Sequence, residues 1–231
     1  MLHLIKLELK KGGLSSYLWG SVVAYAAIAG FMMLIYFVEG PNVQEPIFRS
    51  YTEMFETIDL FVRGTFIIYA SVMISKLIIS EFRDKTITLL FAYPVSRKKL
   101  IIAKLAIVFF WTFLNVILCN LVVGSLFVSI NLGVGYIPGQ LTTEMLMQHG
   151  VEILLQAIGA AGMSLLSLPF GLRKKSVATT IVSSILIVFI VCSNNMGFSL
   201  SSIIAIPLTL AAIGLSITYL SFRNIDRVDI G

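Results

Sequence analysis

The chain of 231 residues is 58% hydrophobic and only 13% charged, with a net charge of +5 and a mean hydropathy of +0.95. Soluble domains carry about 25% charged residues, so this composition excludes an ordinary water-soluble protein and places most of the chain in lipid. The positive charge does not indicate nucleic-acid binding. The Lys and Arg residues lie at the ends of apolar runs, where lipid headgroups would be.

Sequence motifs for catalysis and for cofactor binding are missing. The chain has no G-x-x-x-x-G-K-[ST] phosphate loop, no H-E-x-x-H zinc motif and no G-x-S-x-G nucleophile motif. Cys119 and Cys192 both lie within apolar runs, which favours two buried apolar side chains over a disulfide or a metal pair. His3 and His149 are expected to be solvated. We therefore predict no catalytic residue, no metal site and no cofactor in this chain.

Six apolar runs are candidates for membrane-spanning helices, because a span needs about 20 mostly apolar residues. In chain order they cover approximately residues 14–38, 60–80, 100–130, 151–172, 177–192 and 200–220. A polar cluster at 193–197 separates the last two and predicts a tight loop. The pattern predicts an all-α, polytopic membrane protein in which six transmembrane helices form a single transmembrane domain over 1–231.

The second apolar run carries two cations, with Arg63 near its start and Lys76 near its end. Both side chains are expected to reach toward lipid headgroups along their apolar stems. Only residues 64–75 lie between the two charges, so a re-entrant segment is the alternative for this run.

The positions of Lys and Arg indicate the orientation of the chain in the membrane. Positive segments of membrane proteins face the cytoplasm. With the N-terminus inside, the basic segments 1–11, 81–99 and 173–175 all lie on the cytoplasmic side, and the acidic segment 39–59 lies outside. We therefore predict two cytoplasmic termini. The alternation of apolar and polar residues within 1–11 also predicts an amphipathic helix in the inner interface.

The cytoplasmic segment 81–99 combines a short helix, a sharp break and a basic helix start. Glu81 and Lys85 are four residues apart in the order that stabilises a helix. Pro94 lacks an amide proton and ends this helix, and Ser96 is a good N-cap for the next one. Basic residues in the first turn of that next helix oppose its dipole, so a negative partner must offset them. A membrane-anchored connector and a docking surface for a cytoplasmic partner both fit this pattern.

The same segment carries a motif that resembles ABC-2 type permeases, especially the short ones that export bacteriocins, lantibiotics or bacitracin-like peptides. The matching elements are Glu81, Lys85-Thr86, Leu89-Leu90, Pro94-Val95-Ser96-Arg97 and Lys104. Lys85 stands where many family members have Gly, which favours the peptide-immunity subgroup. The chain length, the six predicted spans, the cytoplasmic termini and the amphipathic start extend the resemblance to the whole chain.

The resemblance implies the permease subunit of an ATP-binding-cassette exporter in a bacterial plasma membrane, with an amphipathic peptide, antimicrobial or drug-like substrate. A coupling helix between the second and third spans would fit a cleft in a separate cytoplasmic subunit, which would bind ATP and Mg. A second permease copy or a sister permease would complete a dimer. The implied ATPase-coupling residues are Glu81, Phe82, Arg83, Asp84, Lys85, Thr86, Pro94 and Arg97.

The inner loop between the fourth and fifth spans is a second candidate contact with the ATPase subunit. It contains three consecutive basic residues, Arg173, Lys174 and Lys175. A topology anchor alone explains these residues equally well.

Polar and small residues inside the spans are candidates for a substrate path or for helix packing. Asn115 and Asn120 in the third span and Gln156 in the fourth could line a path or hydrogen-bond across helices. Four small residues of the fourth span would permit close contact with a neighbouring helix: Gly159, Gly162, Ser164 and Ser167.

An ion-coupled secondary transporter or a channel is the main alternative function. It predicts that Glu152, Arg63 or Lys76 faces a water-filled path. No span carries a buried chain of acidic and basic residues of the kind that a proton-driven pump needs, unless Glu152 serves. A membrane-embedded enzyme would need a polar constellation inside the membrane, and the sequence offers none.

Overall fold

The structure is a computed structural model that describes residues 14–39, 48–84, 97–139, 141–174, 176–192, 194–195, 198–199 and 205–223. The predicted amphipathic helix within 1–11 lies outside the described residues. The same is true of 85–96, which form most of the predicted coupling segment.

Helices make up nearly all of the described residues. In chain order the elements are α1 (Leu14–Glu39), α2 (Tyr51–Arg83), α3 (Arg97–Val134), α4 (Thr143–Ser164), α5 (Ser167–Lys174), α6 (Val177–Cys192), β1 (Asn194–Asn195), β2 (Phe198–Ser199) and α7 (Ala205–Arg223). Near its end α2 contains a π-helical turn, Ser75–Ile79. The strands β1 and β2 pair antiparallel at the polar cluster where the sequence predicts a tight loop.

Within the described residues, four helical segments are long and apolar enough to cross a membrane. They are α1, α2, α3 and the consecutive pair α4 and α5, while α6 and α7 are shorter apolar helices. The predicted all-α, polytopic membrane fold is therefore confirmed.

α2 is longer than the predicted second span. It begins at Tyr51, where the hydroxyl of Ser50 caps the helix by accepting the amide of Glu53 at 3.3 Å. Its first turns bury Met54 and Ile58. The helix has 33 residues, which at about 1.5 Å per residue gives a length of about 50 Å. A continuous helix of this length has the geometry of a complete crossing rather than of a re-entrant segment.

Two core clusters mark the two ends of the helix bundle. One joins Tyr36 near the end of α1 to Tyr51 at the start of α2 and to Phe127 in the second half of α3. The other joins Tyr17 at the start of α1 to Leu77 near the end of α2. Consecutive long helices therefore run in opposite directions, as expected for successive crossings.

Charge is separated between these two ends. We name them the acidic end and the basic end after the described residues that lie there. The acidic end carries Glu53, Glu56, Asp59, Glu144 and Glu152. The basic end carries Arg83, Lys99, Lys104, Arg173 and Lys174.

α2 is the central helix of the bundle and contacts α1, α3, α4 and α6. In its most apolar stretch 72% of the residues are buried, against 22% in α1. α1 exposes large apolar side chains such as Trp19 and Val38, as a helix in contact with lipid does. A displacement of α2 would therefore disturb the packing of most of the bundle, whereas a displacement of α1 would disturb much less of it.

Glycines allow α4 and α7 to approach each other closely. A Cβ atom added to Gly159 would lie 2.7 Å from the Cβ of Pro207, and one added to Gly162 would collide with Ala211. A Cβ added to Gly214 on α7 would lie 2.6 Å from the carbonyl oxygen of Gly162. The predicted use of small residues for close helix contact in this span is confirmed for Gly159 and Gly162.

Candidate functional site

The described part of the predicted coupling segment forms the last turn of α2 at the basic end. Phe82 is half-buried and packs against the basic-end core cluster. Arg83 and Asp84 are exposed. Arg97 is the first residue of α3. The other predicted coupling residues, Lys85, Thr86 and Pro94, lie outside the described residues.

Glu81 points into the protein and pairs with a buried lysine on the neighbouring helix. The Lys104 ammonium lies 2.5 Å from Oε2 of Glu81, and its side chain is 1% exposed. The same Nζ donates to the carbonyl oxygen of Leu77 at 2.8 Å. The ion pair therefore connects the end of α2 to the first turns of α3. The sequence motif contains both residues, but it does not reveal that they are in contact.

Arg83 and Asp84 form an exposed charge pair at the tip of α2. The Arg83 Nε donates to Oδ1 of Asp84 at 2.9 Å. This hydrogen bond, followed by the positive charge of Arg83, holds the pKa of Asp84 below its ordinary value. The two groups are accessible to a partner, and together they present both charges at one point of the basic end.

The second predicted cytoplasmic contact lies beside the end of α2. Arg173 and Lys174 are exposed in the last turn of α5, while Lys175 lies outside the described residues. α5 packs on the π-helical turn through Gly171, where an added Cβ would lie 3.0 Å from Cδ1 of Ile79. The structure therefore brings the two predicted contact regions together at the basic end.

A second buried ion pair lies toward the acidic end, again on α2. Nε of Arg63 lies 2.8 Å from Oδ2 of Asp59, one helical turn away. Nη1 of Arg63 donates to Oε1 of Gln156 on α4 at 2.8 Å. The amide of Asn120 on α3 donates to Oδ1 of Asp59 at 3.2 Å. We name these four residues the polar core cluster, since they join three helices in the interior of the bundle.

The expectation that Arg63 reaches toward headgroups is wrong. Arg63 is only 4% exposed, because its side chain turns inward and pairs with the buried carboxylate of Asp59. Sequence reasoning missed this pair because it placed residue 59 in an external acidic segment. The spacing of four residues was the available signal. Lys76, by contrast, is exposed.

The three predicted path residues are all buried, but the structure does not bring them to one place. Asn120 and Gln156 belong to the polar core cluster. Asn115 lies elsewhere on α3, where its Oδ1 accepts the hydroxyl of Tyr25 on α1 at 3.0 Å. Each of these amides forms a hydrogen bond between helices, which is the packing role that the sequence left open.

Another buried asparagine, which the sequence analysis did not single out, organises the acidic end. Oδ1 of Asn131 accepts the hydroxyl of Tyr36 at 2.7 Å and the amide of Ile137 at 2.9 Å. Its own amide donates to the hydroxyl of Tyr51 at 2.8 Å. Asn131 thus ties α1, α2 and the end of α3 together.

A shallow cleft opens at the acidic end between α2 and α4. Its lining residues are Thr52, Phe55, Glu56, Met145, Gln148, His149 and Glu152. The ring of His149 stacks on Phe55 with centroids 4.3 Å apart. In the part of the chain that the structure describes, no group of His, Cys, Asp and Glu has the arrangement of a metal site.

Comparison with known proteins identifies the family. The chain is 43% identical over 228 residues to a Bacillus subtilis (strain 168) protein titled "Uncharacterized protein YcbO", an alignment that covers 99% of this chain and 100% of the relative. No solved structure matches the chain. The model of a family described as "ABC-2 family transporter protein" matches residues 4–213. The chain therefore belongs to the ABC-2 family of transporter proteins, as the motif of segment 81–99 and Lys104 suggests.

Proposed function

We propose that this chain is the permease subunit of an ATP-binding-cassette exporter that moves an amphipathic substrate, such as a peptide or another antimicrobial, across the membrane. ATP and Mg would bind to a separate cytoplasmic ATPase subunit. Family membership supports a membrane transport component of this kind. The coupling motif and the geometry of the basic end support the role of a partner.

The observation that carries the proposal is the position of the exposed pair Arg83 and Asp84. These residues form the tip of α2, which is the central and most buried of the long helices. A partner that binds them would push or pull directly on the helix that contacts α1, α3, α4 and α6. Arg173 and Lys174 at the same end would supply additional contacts with an acidic surface.

The distribution of charge supports an orientation with the basic end in the cytoplasm of the bacterial plasma membrane. Positive residues are concentrated on the cytoplasmic side of membrane proteins. The described basic end holds Arg83, Lys99, Arg173 and Lys174, whereas the acidic end holds mostly carboxylates. Both termini would then be cytoplasmic, on the side of the ATPase subunit.

The substrate path would lie between two permease copies, or between this chain and a sister permease. The interior of a single copy holds the polar core cluster and buried apolar side chains, and Asp59 and Arg63 of this cluster are hydrogen-bonded to amides on the neighbouring helices. An amphipathic substrate suits a path at such an interface, since apolar helix surfaces and lipid are both available there.

The test is co-purification of the tagged protein from its native membranes in mild detergent, with identification of the proteins recovered. We expect a phosphate-loop ATPase in near-equal amount. Arg83→Glu should reduce its recovery, whereas Arg49→Glu should not. Arg49 is also exposed, but it lies next to the start of α2 at the acidic end. Equal recovery with both variants would contradict docking at the tip of α2, and absence of an ATPase from the wild-type preparation would contradict the proposal.

An ion-coupled transporter is the second candidate, and the buried pair Asp59 and Arg63 is the observation that favours it. Ionisable residues inside a membrane protein often belong to an ion or proton pathway. Transport into proteoliposomes by the purified chain without ATP would establish this alternative. We expect no transport under these conditions.

A further inference from the structure

The π-helical turn Ser75–Ile79 is a local irregularity in the most buried helix of the bundle. The amide of Ser80 donates to the carbonyl oxygen of Ser75, five residues back, whereas an α-helix uses four. A π-helical turn accommodates an additional residue within an α-helix and is frequently found at functional positions. This turn ends at Ile79, two residues before Glu81, where the membrane-embedded helix meets the predicted coupling segment.

Lys104 reaches this turn from α3. Its ammonium donates to the carbonyl oxygen of Leu77 inside the turn and pairs with Glu81 just beyond it. A buried ammonium needs such partners, because an unpaired charge in the interior carries a large desolvation cost. Both partners belong to the last turns of α2, so a single side chain bridges the π-helical turn and the residues that follow it.

The surroundings of the turn hold it in a defined position. Four of its five residues are buried, and α3, α5 and α6 all pack against it. A buried irregularity that three helices enclose is not a frayed helix end. The hydroxyl of Ser80 donates to one carbonyl oxygen of the turn, that of Lys76, at 2.7 Å. The ammonium of Lys104 donates to another, and this contact comes from a different helix.

We infer that Lys104 is a positioning residue for energy coupling, which stabilises the π-helical turn and makes the end of α2 and the start of α3 move as one unit. This inference rests on the proposed function. A movement of the ATPase subunit at Arg83 would reach the bundle through both helices at once. Without Lys104 the turn can return to an α-helical register, which rotates the tip of α2 by about 100°, the angle of one residue in an α-helix.

The first experiment measures amide hydrogen exchange of the purified protein in mild detergent. Lys104→Met removes the charge and keeps the length of the side chain. It should accelerate exchange in residues 75–83 by about tenfold, because hydrogen bonds to charged groups contribute strongly to local stability. Lys99→Met is the matched control, since Lys99 is an exposed lysine on the same helix and should leave this exchange unchanged. An unchanged rate in Lys104→Met would overturn the inference.

The second experiment measures exchange in the complex with the ATPase subunit, with and without ATP and Mg. In the wild type, ATP should change the exchange of both the end of α2 and the first turns of α3. In Lys104→Met the ATPase should still be recovered in the same amount, but the response of α3 should be lost. Glu81→Gln provides a second variant if Lys104→Met does not fold, and a smaller loss of the α3 response is expected.

The outcomes separate this inference from the proposed function. A normal yield of ATPase together with an intact α3 response in Lys104→Met would overturn the role of Lys104 alone. Failure to recover any ATPase with the wild type would overturn the coupling role and the proposed function together. In that case the exchange rates of the free protein would still show whether Lys104 holds the turn.

Discussion

Two buried ion pairs include residues of α2, and they differ in what they connect. Asp59 and Arg63 are one turn apart on α2, so their charges cancel within a single helix, and neutral amides of Asn120 and Gln156 complete the cluster. Glu81 and Lys104 lie on different helices, so their separation would expose two charges to a low-dielectric interior. The comparison teaches that moving α2 against its neighbours at the polar core cluster breaks hydrogen bonds to neutral amides but leaves the ion pair intact, whereas moving α2 against α3 at the basic end separates the charges themselves.

Removal of one charge from the pair within α2 should have the largest effect. Arg63→Leu leaves the carboxylate of Asp59 without its counter-charge, which should destabilise the protein by about 3–5 kcal/mol. The apparent melting temperature in mild detergent should fall steeply. The double variant Asp59→Asn with Arg63→Leu should recover much of the loss, since no charge remains buried. A single variant as stable as the wild type would show that Asp59 is not buried as a carboxylate.

The pair between helices, Glu81 and Lys104, should show a measurable interaction free energy when the two charges are swapped by mutation. Lys104→Glu places two carboxylates together, and addition of Glu81→Lys restores opposite charges. The double variant should be more stable than the sum of the single effects implies, by about 1–3 kcal/mol, as for groups in direct contact. The four melting temperatures of the cycle provide the measurement. Additive effects would mean that the two residues do not interact.

Two buried asparagines differ in the charge of their partners, since Asn120 binds a carboxylate and Asn115 binds a neutral hydroxyl. Asn120→Leu removes a bond to the carboxylate of Asp59 and should cost about 1–2 kcal/mol. Asn115→Leu removes a bond to the hydroxyl of Tyr25 and should cost less, about 1 kcal/mol or below. Melting temperatures measured side by side should show this order. The reverse order would indicate that the polar core cluster contributes little to stability.

The exposed pair Arg83 and Asp84 should have the smallest effect on stability. Exposed ion pairs contribute little to folding, so Arg83→Ala should leave the melting temperature unchanged. The same variant should weaken retention of the ATPase subunit. A fall in the melting temperature of the isolated chain would instead give Arg83 a structural role.

The pH dependence of docking offers a further prediction at this position. The pKa of Asp84 is lowered by Arg83, so its carboxylate stays ionised to a lower pH than an ordinary aspartate. ATPase retention that depends on Asp84 should therefore persist to a lower pH than an ordinary aspartate would allow, if the partner remains folded, and Asp84→Asn should remove the dependence. Loss of binding near pH 6 would point to a different titrating group.

The sequence predicted the membrane fold well, because long apolar runs and few charges leave little choice of environment. The motif residues of segment 81–99 are close together along the chain, so the sequence could indicate the ABC-2 family, whereas the coupling role of that segment stays a prediction. The prediction for residue 59 was wrong. The acidic residues before it predict an external segment, whereas the structure buries it in α2. The contact between Glu81 and Lys104 could not be derived, because 23 residues separate them and no periodic pattern relates two different helices. The π-helical turn could not be predicted either, because its mostly apolar residues form no sequence pattern that distinguishes a π-helical turn from an α-helix.

The central claim is that the basic end of this chain docks an ATPase subunit, and the composition of the purified complex tests it most directly. The mass of the tagged complex from native membranes, measured in mild detergent, should correspond to two permease copies with two ATPase subunits and should fall by the mass of the ATPase subunits in Arg83→Glu. Recovery of the chain in several detergents without any nucleotide-binding protein would contradict the claim.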